Sequence, residues 1–89
     1  MKRISIIISG KVQGVFFRIS TEKKAKGIGV TGFVRNEENG NVYIEAQGTE
    51  KQLDDLVEWC RRGPDRARVD EVSKEEILLG EEKEFRIKR

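Results

Sequence analysis

Val30-Thr31-Gly32-Phe33-Val34-Arg35-Asn36-Glu37-Glu38-Asn39-Gly40-Asn41-Val42-Tyr43-Ile44-Glu45-Ala46-Gln47 reads as two β-strands joined by a turn. From Asn41 to Gln47, Val42, Ile44 and Ala46 alternate with Tyr43, Glu45 and Gln47, the period of two that turns one face to a core and the other outward. Val30 to Arg35 is the partner strand. Asn39-Gly40 between them is a strong hairpin signal, because both residues tolerate the positive φ that tight turns require. The two strands are therefore antiparallel neighbours, and the remaining elements must pack around them.

Upstream, Arg3 to Ser9 is rich in β-branched isoleucine, with Ile4, Ile6 and Ile8 on one face and Ile7 on the other, as in a central strand. Thr21, Ala25 and Ile28 then fall at i, i+4 and i+7, which predicts a helix from about Phe17 to Lys26 ended by Gly27 and Gly29. Downstream, Thr49 stands three residues before Gln52, a capping-box spacing, and Leu53, Leu56, Val57 and Cys60 form the apolar stripe of a second helix. Gly63-Pro64 closes it. A fourth strand is expected at Val72 to Leu78 within Val69–Leu79, and Phe85 with Ile87 marks a short fifth. The order β-α-β-β-α-β plus a tail strand predicts an α+β, ferredoxin-like sandwich: an antiparallel sheet with both helices on one face. Neither a repeat nor a linker interrupts it.

The 89 residues are expected to form a single domain, 1–89. Charged residues make up 38% and hydrophobic ones 36%, so a small core lies beneath a highly charged surface. With a net charge of only +2, the chain lacks the charge imbalance of disordered sequences and gives no reason to expect nucleic acid as partner. No His is present, which excludes a Ser-His-Asp triad and His-bearing zinc sites. One cysteine, Cys60, allows no internal disulfide and suits a cytoplasmic location. No apolar run approaches the ~20 residues of a membrane span.

Three motif matches fail on context. Gly27-Ile28-Gly29-Val30-Thr31-Gly32 fits the dinucleotide pattern G-x-G-x-x-G but leaves a helix and opens a strand, the reverse of what phosphate binding needs. Cys60 to Arg66 has the C-x5-R spacing of cysteine phosphatases, yet Cys60 ends a helix on its apolar face, where a thiol is inert. Arg61-Arg62 suggests a nucleic-acid patch, but cations at a helix C-terminus also answer the dipole.

Gly14-Val15-Phe16-Phe17-Arg18 has the right context: strand, glycine-bearing turn, helix start. The first N–H groups of a helix lack internal partners and together attract an anion. Arg18 opposes the helix dipole by ~0.3–1 kcal/mol, which leaves two readings: something negative lies beside it, a bound anion or a carboxylate such as Glu22, or it is a solvated arginine with no partner. Asn36 ends the second strand; it reads as a turn residue bonding its own backbone, or as an amide near the Gly14 turn holding a water in line with a bound phosphate.

At these residues the chain resembles a known family. Gly10-Lys11-Val12-Gln13-Gly14-Val15-Phe16-Phe17-Arg18 and Gly32-Phe33-Val34-Arg35-Asn36 are similar to the two signature motifs of the acylphosphatases, in the same order. Gly63-Pro64, Ala67, Val69 and the closing Phe85 and Ile87 extend the likeness over almost the whole chain. The resemblance implies a ferredoxin-like fold and hydrolysis of the carboxyl-phosphate bond of acyl phosphates such as acetyl, benzoyl or carbamoyl phosphate, giving a carboxylate and inorganic phosphate without metal or cofactor. It further implies that Arg18 and the loop amides bind the phosphoryl group and that Asn36 positions the water. Gln13, Gly14, Val15, Phe16 and Phe17 are the expected substrate-binding residues, with Gln13 read as loop support and Phe16-Phe17 as core packing. A cytoplasmic monomer acting on a small molecule is expected.

The alternative keeps the fold without the chemistry. A ferredoxin-like sheet can bind single-stranded RNA through exposed aromatics beside basic residues, here Phe33 and Tyr43 with Lys2, Arg3, Lys88 and Arg89, or the chain can serve as a carbamoyl-phosphate accessory module.

Overall fold

The computed structural model describes residues 1–88. Seven elements follow in the order β1 (Lys2–Lys11), α1 (Phe17–Ile28), β2 (Thr31–Asn36), β3 (Val42–Gly48), α2 (Glu50–Cys60), β4 (Arg68–Ile77) and β5 (Phe85–Ile87). The sheet order is β4-β1-β3-β2-β5. β1 pairs antiparallel with β3 and β4, and β2 with β3, as expected of a ferredoxin-like sandwich. The four main strands thus form the expected antiparallel sheet, and the short fifth strand, β5, lies parallel to β2, so the five-stranded sheet is mixed. β4 runs down one edge, so a segment that crosses the sheet and turns upward at the other edge meets β2 in the same direction. Gly32 N–H donating to Glu84 C=O (3.1 Å) and Lys88 N–H to Val34 C=O (2.9 Å) tie that edge.

The core lies between the helices and one face of the sheet. Ile6, Ile8, Val34, Val42, Ile44 and Ala46 on the strands meet Ala25, Leu53, Leu56, Val57 and Cys60 on the helices. Burying each of the larger aliphatic side chains contributes about 1.5–3 kcal/mol, and this layer orients α1 over the sheet.

Helix ends differ in detail from expectation. The Thr49–Gln52 capping box is present, with Gln52 N–H donating to Thr49 Oγ1 (3.2 Å) and Thr49 N–H to Gln52 Oε1 (2.9 Å). Gln52 Nε2 also donates to Ile28 C=O (3.1 Å), so one side chain serves the start of α2 and the end of α1. Gly27 stays inside α1; Gly29 alone stops it, in the left-handed conformation at φ +99°, its N–H donating to Ala25 C=O. β4 begins at Arg68, four residues before the expected Val72, because an edge strand with polar residues on both faces carries no hydrophobic signal at its start. Leu78, expected to end that strand, leaves the sheet and is 91% exposed.

Candidate active site

β1 delivers the chain to the turn Gly14–Phe16, and α1 begins at Phe17. Gly14 has φ +73°, and a Cβ built there would meet no atom within 4 Å, so it is the torsion and not crowding that favours glycine. Val15 and Phe17 are buried and anchor the turn in the core. The Phe17 ring stands edge-on to Trp59, centroids 5.6 Å apart, over the space left by Gly63. Phe16 departs from the expected core packing: it is 64% exposed and is the only non-glycine described residue at positive φ, +65°.

The start of α1 has no side-chain cap and no acidic residue in its first turn. Its first N–H groups are left to whatever occupies the space in front of them. Arg18 sits there half-buried and makes no ion pair among the described residues; Glu22, the alternative partner, lies 3.6 Å from Lys26 instead.

β2 ends at Asn36 beside this turn. The β2–β3 connection is longer than a two-residue hairpin: Glu37 N–H donates to Asn41 C=O (2.8 Å), Gly40 N–H to Glu37 C=O (3.2 Å), and Asn41 N–H to Asn39 Oδ1 (3.1 Å). Asn39, and not Asn36, is thus the side chain that bonds the turn. Asn36 Oδ1 is buried and has no hydrogen-bond partner. Such an orphan acceptor costs ~1–3 kcal/mol unless a water or ligand meets it.

Gly14, Phe16, Phe17, Arg18, Ile19 and Asn36 line one cleft of about 400 Å³, with Val12 and Ile87 beneath. Gln13 does not line it. Its Nε2 donates to Glu37 C=O (2.7 Å) and Asn41 C=O (2.9 Å), so Gln13 braces the hairpin that carries Asn36. Nothing in the sequence around Gln13 marks that bond, since its acceptors are main-chain groups 24 and 28 residues away. The lining contains no serine, cysteine, aspartate or glutamate. It offers one guanidinium and hydrogen-bonding groups, without a nucleophile or a carboxylate base.

The acylphosphatase family model matches residues 4–87. The chain belongs to the acylphosphatase family. An acylphosphatase of Marinobacter nauticus is 50% identical over 82 residues, covering 92% of this chain and 89% of the relative. The solved structure of an acylphosphatase from Coxiella burnetii superposes with a TM-score of 0.95 at 41% identity, covering 98% of this chain and 92% of that one. That of the Bacillus subtilis acylphosphatase gives 0.97 at 33% identity over the full length of both. The chain is accordingly an acyl phosphate hydrolase, and small acyl phosphates and inorganic phosphate are its substrate and product.

The other motifs have structural explanations in this acylphosphatase. Gly32 sits in β2, where a Cβ would collide with Glu45 C=O across the sheet. Burial pushes the Cys60 thiol up to about 12, where no thiolate forms near neutral pH. Arg61 is the C-cap of α2. The open sheet face offers no free ring for base stacking: Phe33 is 5% exposed, with Lys88 Nζ 3.9 Å from its centroid, and the Arg35 guanidinium lies 4.7 Å from that of Tyr43. Lys2 pairs with Glu50 at 2.7 Å, Arg3 is buried between carboxylates, and Arg89 lies outside the described residues. The RNA-binding alternative is not favoured.

Proposed function

We propose that Arg18 and the backbone N–H groups of residues 14–18 bind the phosphoryl group of an acyl phosphate and that Asn36 holds the attacking water. The observation that carries this reading is the buried Asn36 Oδ1 without a protein partner, in the cleft that also contains unpaired Arg18 and the uncapped start of α1. Oδ1 accepts one O–H of the water, which turns an oxygen lone pair toward phosphorus. The water oxygen bonds to phosphorus as the phosphorus–oxygen bond to the acyl group breaks, and that electron pair leaves on the carboxylate. The released proton passes to a phosphoryl oxygen, giving inorganic phosphate.

A carboxylate is stable as an anion near neutral pH, so its departure needs no general acid. The substrate phosphate serves as the base. What the protein supplies is positioning, and stabilisation of charge on the equatorial oxygens by a guanidinium fork and preorganised amides. An arginine acting on a phosphoryl transition state contributes ~10³–10⁵ in rate where it is well studied. Neither metal nor cofactor enters this chemistry. The enzyme is read as a cytoplasmic monomer with no nucleic-acid or membrane partner; among the described residues no helix is long and apolar enough to cross a membrane. The test is steady-state hydrolysis of acyl phosphates against phosphomonoesters, with inorganic phosphate as competitor. Faster turnover of the acyl phosphates, competitive inhibition by phosphate and insensitivity to a chelator are expected. Activity abolished by the chelator and restored by Mg²⁺ would contradict the metal-free route.

A further inference from the structure

We propose that Phe16 and Ile19 form an acyl-group subsite at the mouth of the phosphate cleft, suited to aromatic or branched apolar acyl phosphates; this rests on the functional reading above. Phe16 holds a conformation that costs a residue with a Cβ ~1–2 kcal/mol and that glycine adopts freely, asparagine more readily than most. Its ring lies outside the core, 64% exposed, and among the described residues it pairs with no other aromatic. Folding therefore gives no reason for an aromatic at this position, and backbone strain at an exposed site points to function.

Ile19 stands three residues on, 60% exposed, and neighbours three apart share a helix face. Both line the cleft that contains Gly14, Arg18 and Asn36. The other exposed large apolar residues, Met1, Ile7, Leu78 and Leu79, line no part of it. The cleft is thus two-ended. An acyl phosphate has the same polarity, a dianion joined to an acyl group, and once the dianion is held by Arg18 and the loop amides the acyl group projects toward the open side. There it meets an aromatic ring and an aliphatic chain. The cleft has no charged side chain besides Arg18, so a carboxylate-bearing acyl group would lose hydration without gaining a partner.

The experiment compares kcat/KM for acetyl, 3-methylbutanoyl, benzoyl and succinyl phosphate in the wild type, Phe16→Asn and Ile19→Ser, with the inhibition constant of inorganic phosphate measured in each. Asparagine tolerates the left-handed conformation, so Phe16→Asn removes the ring and retains the turn. In the wild type, benzoyl and 3-methylbutanoyl phosphate are expected to exceed acetyl phosphate by about 10-fold, chiefly in KM, with succinyl phosphate poorest; the scale is that of one methylene or more in an apolar pocket. Each substitution is expected to reduce the benzoyl-to-acetyl ratio by about 3-fold or more. Hydrolysis that is indifferent to the acyl group, or a preference that survives both substitutions, overturns the subsite and leaves the phosphate site standing. A phosphate inhibition constant that weakens in step with the benzoyl KM also overturns it, because the effect then lies in the phosphate loop. Absence of hydrolysis of every acyl phosphate by the wild type would instead refute the functional reading itself.

Discussion

Gln13 Nε2 donates to the Glu37 carbonyl at 2.7 Å and to the Asn41 carbonyl at 2.9 Å, coupling the end of β1 to the β2–β3 hairpin. The loop that presents the amide groups and the strand end that presents Asn36 are thereby held as one unit. Gln13→Ala removes both bonds. Because displacement of a reacting group by about 1 Å can cost 10²-fold, kcat should fall by about 10-fold or more while KM for benzoyl phosphate changes little. A kcat within 2-fold of wild type would show that the hairpin holds its place without the amide.

Arg18 and Asn36 serve different steps in the proposed chemistry, so their removal should be separable. Arg18→Gln is expected to lower kcat by at least ~10² and to weaken inhibition by inorganic phosphate, on the scale of losing one preorganised donor. Asn36→Ala should lower kcat comparably and leave phosphate inhibition close to wild type. Circular dichroism and thermal unfolding should find both variants folded, since neither side chain belongs to the core. Loss of phosphate inhibition in Asn36→Ala would place the amide on the anion instead of the water.

Arg3 is 3% exposed and lies 2.9 Å from Glu45 and 2.8 Å from Glu82. Gly80 N–H donates to Gln47 Oε1 at 2.8 Å beside it, so this group holds the segment that crosses from β4 to β5. Arg3→Met removes the guanidinium shared by the two carboxylates and should destabilise the fold by about 3 kcal/mol in urea unfolding. Burial works against the charged form of Glu82, but its own backbone N–H, Arg3 and Lys88 outweigh it and hold the carboxyl below the ordinary value of 4.5. A lowered folded value means stability that is present above about pH 4.5 and is lost as pH falls through the folded value. Acid should therefore lower the urea midpoint less in Glu82→Gln than in wild type.

Tyr43 gives the opposite case at high pH. Burial, then its hydrogen bond to Glu45 at 2.7 Å, raises the phenol from 10.0 to about 12. A raised folded value means a contribution fully present below pH 10.0 and lost as pH rises toward about 12. Between pH 9 and 11.5 the wild type should lose more stability than Tyr43→Phe, measured by denaturant midpoint. Equal losses would show that the phenol titrates no differently in the folded chain.

Period-two alternation around Asn39-Gly40, the apolar stripe of Leu53, Leu56, Val57 and Cys60, and the Thr49–Gln52 capping pair are local patterns, each contained within one element and its flanks. The sequence by itself therefore determined the element order, the inward faces and the fold class, together with the signature segments bearing Arg18 and Asn36. Tertiary structure alone decided that β5 runs parallel to β2, that Arg3 is a buried ion-pair partner and not a free surface cation, and that Gln13 is a brace. It also decided that Phe17 faces the core while Phe16, beside it, faces the cleft. These outcomes depend on distant partners, 24 and 28 residues away for Gln13 and 42 for Arg3 with Glu45, or on the depth of a side chain beneath other segments. Periodicity cannot carry such information, because burial and pairing are set only when the chain has closed on itself.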